Sequence, residues 1–431
     1  MAAASPPPAP SAVPPPPSLP GIPPDLMAQL VCAAAGDRLA LVGGAVRDWL
    51  LHRVHNDPWR GVPDLDLVVE PAGAPRPVPA AHRLARSLRQ NLGAERLGCY
   101  QEHPAYGTVE LELRLAEGPL LLDLASARRE TYPVAGGNPA VSFGCLDDDL
   151  ARRDFTINAM ALLLDGASGG ELRDPHGGQA DLAHRQLRFL HAHSVRDDPT
   201  RLVRGARYAA RMGFRLAAEA HEQARSTLAA WPWAWRQGDP PGQAPAALGT
   251  RLRMELELLL EREAWPRALE ALQAWGGLVL LDPQLQADRH WRRRLRWAGR
   301  MGLAPLAALL AGAADPLALA ERLQLPHRQH RLLAGFLDLR QRLRNEPPPM
   351  NAAQWCALLE APGSVDDAVA LALAAGVGPR RPLLRWWLRW RHLDAGASAA
   401  DLMASEGLRP GRALGERLRQ LRSGRLARER L

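Results

Sequence analysis

Between residue 25 and about residue 165, short apolar runs alternate with polar turns. Beyond about residue 180, Leu, Ala and Arg recur at intervals of three and four, and β-branched residues become scarce. The first texture predicts strands over 39–42, 65–70, 108–115, 120–125 and 159–164, with helices over 45–51 and 80–91 between them. Several of these strand runs follow one another closely enough to pair antiparallel. The second texture predicts amphipathic helices over 181–190, 198–213, 250–262, 265–276, 316–344 and 409–424. Turn-forming clusters at 236–246 (RQGDPPGQAPA), 345–349 and 376–382 mark the interruptions. The chain therefore reads as α+β. A module with a mixed, largely antiparallel sheet over 25–165 precedes all-α segments over 166–245, 246–345 and 346–431.

Residues 1–24 share neither texture. They are rich in proline, hold no arginine and no apolar block, and so match neither a secretory signal nor a transit peptide; an extended, disordered tail is expected. The longest apolar stretch, 303–314, falls short of the roughly 18 residues that a membrane span needs, so no membrane partner is expected. Cys32, Cys99, Cys145 and Cys356 lie far apart with no CxxC pair. That spacing excludes a disulfide framework or a structural zinc site and points to a reducing, cytoplasmic setting. Charge changes the picture further. Fifty-four basic residues against 46 acidic ones give a net charge of +8, and no lysine occurs, so every one of those basic side chains is an arginine. Planar, permanently charged forks on that scale suit a phosphate-bearing polyanion.

Five short segments carry chemistry. In GGAVRD, Gly43 and Gly44 end the apolar run LALV and open a helix, where bare backbone can approach a ligand and free N–H groups meet an anion; Arg47 lies one turn in. The same turn also serves a purely structural bend. In DLDLVVE, Asp64 and Asp66 share one face of a strand and Leu65 turns to the core, a spacing that brackets divalent ions but is also seen at a solvated strand start. Asp123 interrupts LLLDLA, where a charge requires a metal, an arginine or an exposed edge. In RRDFTINA, Arg153 and its neighbour Arg152 can grip a polyphosphate, and Asp154 or Thr156 can cap a short helix. In RDDPTRLVRGAR, Asp198 caps a helix begun by Pro199, and Arg201, Arg204 and Arg207 spread over one side of it. This is either a solvated basic face or an edge that reads a base by paired hydrogen bonds. Trp231, Trp233, Trp235, Trp291, Trp297, Trp386, Trp387 and Trp390, many of them beside arginines, read as core, and His191 and His193 as structural or surface residues.

Taken in order, GGAVRD, DLD, HPAYGTVELEL, LLLDLASARRETY, RRDFTINAMAL, DPHGGQADL and DDPTRLVRGARYAARMGF resemble the class II tRNA nucleotidyltransferases, the CCA-adding enzymes, and the related bacterial poly(A) polymerases. The resemblance runs from Leu39 to Phe214, with a weaker echo in RLRMELELLL and GLRPGRALGERLRQL. It implies a catalytic nucleotidyltransferase head over 25–165, a nucleotide-reading neck over 166–245, a helical body over 246–345 and a tRNA-binding tail over 346–431. By that match Asp64 and Asp66 hold Mg2+, with Asp123 completing the catalytic acids. Gly43, Gly44, Arg47, Arg153 and Asp154 bind the nucleotide, and Asp198 and Arg201, with Arg204 and Arg207 nearby, read CTP or ATP. The expected activity is template-independent addition of C and A to the 3′ end of the tRNA acceptor arm, with pyrophosphate released. CC-only or A-only addition and poly(A) synthesis are the alternatives within the family, and an inactive RNA-binding protein is the alternative outside it. One departure stands out: Asp197 occupies a position where the family usually has Glu. RETYPVAGGNPAVSFGCLDDD matches the family's flexible loop region and favours an enzyme able to add A.

Overall fold

The computed structural model describes residues 19–62, 64–73, 77–115, 118–164, 170–361 and 363–430. They form two compact units. One comprises the described residues up to Arg201 together with Tyr208–Pro232, and the other comprises Leu202–Arg207 and the chain from Trp233 onward.

The first unit is organised by strand alternation. Its strands are β1 (Arg38–Val42), β2 (Asp64–Glu70), β3 (Leu97–His103), β4 (Thr108–Leu115), β5 (Gly118–Ser126), β6 (Arg128–Thr131), β7 (Ala140–Phe143), β8 (Ala161–Leu163) and β9 (Leu172–Arg173). Seven form one sheet in the order β3-β4-β5-β2-β1-β8-β9, and all its neighbours are antiparallel except β2 and β5. β6 and β7 make a separate hairpin. In β2, Leu65 and Leu67 are buried, and in β5 so are Leu120, Leu122 and Leu124. Period-two geometry therefore turns Asp64, Asp66 and Asp123 to the opposite face.

Helices α1 (Pro24–Ala33), α2 (Gly44–His55), α3 (Ala80–Leu92) and α4 (Leu146–Ala151) complete the head. α3 buries Ala81, Leu84, Ala85 and Leu88 and packs on β4 and β5. α4 packs Leu146 and Leu150 against Ala40, Val42 and Val68, on the acidic face of β2 two residues beyond Asp66. A short α5 (Gly178–Ala183), α6 (Ser194–Asp197) and the long α7 (Thr200–Met212) follow.

The second unit is helical. Its central helix, Asp366–Ala375, is buried from Ala368 to Ala374 and is flanked by Trp291–Arg300 and His327–Asn345. Trp233, Trp235, Trp291, Trp386 and Trp390 are buried in this unit, whereas Trp297 and Trp387 here, and Trp231 in the first unit, are only half-buried, so the core expectation holds for five of the eight.

Several expectations need correction. Leu19 and Ile22 are buried and a turn joins them, so order begins before residue 24; residues 1–18 lie outside the described ones. The helix expected over 181–190 stops at Ala183, because Arg185 takes a left-handed conformation (φ 56°) and the chain then pairs Gln186–Leu187 with Arg215–Leu216 in parallel. The helix expected over 316–344 is two, Pro316–Arg322 and His327–Asn345, broken where Gln324 has φ 52° and Pro326 follows. The interruption expected through residue 382 ends earlier: a helix begins at Arg380, with Pro382 tolerated in its first turn. All four cysteines are free, and among the described residues no helix is long and apolar enough to cross a membrane.

Candidate active site

The parallel pairing of β2 with β5 sets Asp66 directly opposite Asp123, with Asp64 two residues away on the same face. Each of the three offers a carboxylate oxygen within 4.8 Å of the others. Three anions this close suppress one another's ionisation. Burial, followed by the charges of Asp66 and Asp64, pushes the Asp123 carboxyl up to about 6. Burial likewise raises Asp66, against the opposing pull of Arg153. Asp123 is not at a sheet edge, since β4 flanks it with Glu110 in register, and no arginine pairs with it among the described residues. An all-oxygen set of this charge fits a hard divalent cation, which relieves the repulsion that the sheet imposes.

Gly43, between β1 and α2, sits against this cluster. Its φ of 72° and ψ of −135° belong to glycine, and a Cβ there would come within 2.8 Å of Asp66 Oδ2 and 2.9 Å of Arg153 Nη1. Arg153 is held in turn by Asp149, a fully buried carboxylate in the last turn of α4. Asp149 accepts from Arg153 Nη2 at 3.0 Å and from Arg152 Nε and Nη2 at 2.9 and 2.7 Å. Burial works to raise its pKa, but Arg153 and Arg152 outweigh that and hold it below the usual carboxylate range. Glu130 takes the remaining end of Arg152 at 3.0 Å. Asp149 was not among the residues picked out by sequence, although its i, i+3 and i, i+4 spacing to the two arginines carries the signal.

The remaining candidates are largely enclosed. Arg47 is buried rather than open to a cradle. Nε and Nη2 donate to Asp48 at 2.8 and 2.9 Å, Nη1 donates to Asn158 at 2.8 Å, and the guanidinium lies 5.3 Å from the Tyr208 ring centroid. Asp154 joins this network, accepting from Phe155 N and Asn158 Nδ2 at 2.9 Å each. It does not cap the short 3-10 turn Thr156–Asn158, and Thr156 instead donates to Asp181. Neither Asn158 nor Tyr208 was singled out by sequence. Asp198 accepts from the N–H and hydroxyl of Thr200 at 3.0 and 2.6 Å, so α7 starts one residue after Pro199. Arg201 is buried beside it, donating to the Arg152 carbonyl at 3.0 Å and to His191 Nε2 at 3.4 Å. Burial and then Arg201 draw the His191 pKa down to about 4, which leaves that nitrogen neutral and able to accept. Arg204 and Arg207 belong to the second unit. Arg207 donates to Glu255 at 2.6 Å and lies 3.4 Å from Glu263, and Arg204 lies 3.9 Å from Glu255.

Comparison with known proteins agrees with this geometry. Residues 39–188 match the family model of the poly A polymerase head domain. A CC-adding tRNA nucleotidyltransferase from Deinococcus radiodurans is 37% identical over 367 residues, covering 81% of this chain and 86% of the relative. An A-adding tRNA nucleotidyltransferase from Halalkalibacterium halodurans is 36% identical over 261 residues, covering 59% and 53%. In fold, the chain is similar to a Thermotoga maritima CCA-adding enzyme complexed with tRNA-CCA, with a TM-score of 0.63, 22% identity, and coverage of 95% of this chain and 93% of that one. The acidic strand pair, its glycine bend and its arginine clamp thus sit on a head shared with poly(A) polymerases, and this chain belongs to the tRNA nucleotidyltransferase family.

Proposed function

We propose that this enzyme extends the 3′ end of tRNA with cytidines taken from CTP, without a nucleic-acid template. The observation that carries the reaction class is the acidic triad of Asp64, Asp66 and Asp123 beside Gly43 and Arg153. The choice of product is supported by the length of the match. The CC-adding relative aligns over 81% of this chain, the A-adding relative over 59%. In this reading the tRNA 3′-hydroxyl attacks the α-phosphorus of the nucleotide, the bond to the β-phosphate oxygen breaks, and pyrophosphate leaves. Magnesium held by Asp64 and Asp66, with Asp123 beside them, would lower the pKa of that hydroxyl and neutralise charge on the phosphates.

The chain's own groups do the rest. The Gly43 backbone, lacking a Cβ, leaves room for phosphate against Asp66. Arg153, braced by Asp149, meets the polyphosphate. Arg47, Gly44 and Asp154 keep the α2 end of the cradle in place. Asp198 and Arg201 would read the Watson–Crick edge of the base once Arg201 exchanges its bonds to His191 and the Arg152 carbonyl for the nucleotide, a carboxylate accepting from an exocyclic amine and a guanidinium donating to ring acceptors. A role in tRNA maturation fits a cytoplasmic enzyme.

Complete CCA addition is the second reading. It is favoured by the β6–β7 hairpin, whose connecting segment reaches the base-reading residues: Gly136 N donates to the Asp197 carbonyl at 3.2 Å. The test offers purified enzyme and Mg2+ a tRNA ending at the discriminator base, with CTP, ATP or both, and sequences the product ends. Ends in CC whether or not ATP is present support the first reading, and ends in CCA with both nucleotides support the second. A product ending in A alone or in long A tails refutes both.

A further inference from the structure

Away from the acidic triad, the second unit holds an open cavity of about 690 Å3 between the start of helix Trp291–Arg300, the C-terminal half of His327–Asn345 and the turn after Asp366–Ala375. Its charge is one-sided. Arg289, His290, Arg294, Arg340 and Arg344 line it, and Asp288 is the acid among the lining residues. Asp288 is already engaged, pairing with buried Arg294 at 2.7 Å and accepting from His290 N at 2.6 Å. Arg294 is also fixed by the Ala308 and Leu309 carbonyls at 2.6 and 3.1 Å, so this pair forms the floor and neutralises itself.

Arg289, Arg340 and Arg344 have no carboxylate partner among the described residues. Arg340 and Arg344 are one helical turn apart, and burial together with the Arg344 charge pulls the Arg340 pKa down. Arg340 is braced by the Phe336 ring, 5.4 Å from its centroid, instead of by an anion. Behind the lining residue Gly376 (φ 79°), Arg293 Nη2 lies 2.5 Å from where a Cβ would stand, so the bare turn leaves room for a further guanidinium next to the cavity without its lining it. Like charges gathered in one concavity raise the local potential for an anion, and guanidinium forks match phosphate oxygens in geometry.

We propose that this cavity binds a phosphate group of a polyanion, held by Arg340 and Arg344 on one wall and Arg289 on the other. Two sources carry that chemistry, the RNA backbone and a free polyphosphate. Only the RNA source rests on the proposed action on tRNA.

The test uses the full chain and its Arg340→Gln/Arg344→Gln variant, which keeps the side-chain stems. Binding of fluorescent tRNA is followed by anisotropy at several KCl concentrations, and binding of tripolyphosphate in EDTA is followed by calorimetry. If RNA is the source, tRNA affinity falls about tenfold and the log–log salt slope becomes shallower by about 2, one for each lost contact, while the calorimetry is unchanged. If a free polyphosphate is the source, the variant loses a tripolyphosphate site and tRNA affinity is retained. A variant that merely melts earlier, with both isotherms unchanged, overturns the proposal and leaves these arginines as helix C-terminal charges. Should the double variant fail to fold, Arg289→Gln on the exposed opposite wall is put through the same two titrations. Nucleotide addition at saturating tRNA separates the ideas: a wild-type enzyme that adds nothing defeats the proposed function, and the tripolyphosphate arm still decides the cavity.

Discussion

Replacing Gly43 with alanine tests whether the bend between β1 and α2 is a steric necessity of the site. Two costs are separable. The backbone cost comes from φ 72° with ψ −135°, a region that L-residues avoid, and is about 1–3 kcal/mol. The side-chain cost comes from contacts of 2.8 Å to Asp66 Oδ2 and 2.9 Å to Arg153 Nη1, where ordinary carbon contacts begin near 3.5 Å. Relief therefore requires the two groups to retreat by roughly half an ångström or more. Neither is free to do so at no cost. The Asp66 carboxylate can only turn on a backbone fixed in a central strand, beside the like charges of Asp64 and Asp123, and Arg153 is held by its bond to Asp149. Misplacement of about 1 Å at a reacting centre is worth about 100-fold in rate, so turnover is expected to fall roughly 10- to 100-fold. The assay is pyrophosphate release with saturating tRNA and CTP, alongside urea denaturation of the same preparations. Loss of turnover with 1–3 kcal/mol of lost stability is the expected outcome. Wild-type turnover in a folded Gly43→Ala protein would mean that Asp66 and Arg153 are not held at the position the reaction uses.

Asp149→Asn should raise the KM for CTP more than it lowers tRNA affinity, because it frees Arg153, and should cost about 3–5 kcal/mol of stability by taking the ion-pair partner from largely buried Arg153 and leaving Arg152 to Glu130 alone; unchanged CTP kinetics would remove Asp149 from the site. The Asp123 carboxyl, pushed up to about 6 when folded and near 3.8 when unfolded, binds a proton in the native state that the unfolded chain gives up, so this group favours folding as pH falls from about 6 to about 4 and opposes it at neutral pH. Asp123→Asn should therefore raise the melting temperature in EDTA at pH 8, flatten the pH dependence between 6 and 4, and weaken protection by Mg2+; a melting curve in EDTA identical to wild type at both ends of that range would contradict it. Arg201→Ala should blur the choice between CTP and ATP while sparing tRNA binding, as read from competition between the two nucleotides. Glu255→Gln, which strips Arg207 of its 2.6 Å partner, should lower stability and leave nucleotide choice intact, and a changed C-to-A ratio would place Arg207 in the reading edge instead.

What the sequence could show depended on whether a side chain's role was local. Asp64, Leu65 and Asp66 announce their own faces by alternation, and Asp123 betrays itself by interrupting LLLDLA, so the triad was legible before any pairing was known. The parallel register that brings Asp123 opposite Asp66 was not, because it depends on a contact between distant strands. β3 escaped notice because none of its residues is buried, which leaves no apolar row to read. The enclosure of Arg47 by Asp48, Asn158 and Tyr208 joins three separate stretches of chain, and no spacing rule reaches across them. Gln324 and Arg185 ended helices through positive φ angles that their residue types do not advertise.

The pairing of β2 with β5 also divides two kinds of selection. A slip of two residues would keep the buried leucines of both strands pointing inward, so hydrophobic burial would barely register the error. In one direction it would set Asp66 against Leu121 and draw both acids of β2 away from Asp123, and in the other it would put Asp64 in place of Asp66 opposite Asp123. Oil-like forces thus decide which side of the ribbon is wet, whereas which of the two acids of β2 stands across from Asp123 is a matter of alignment that burial does not police.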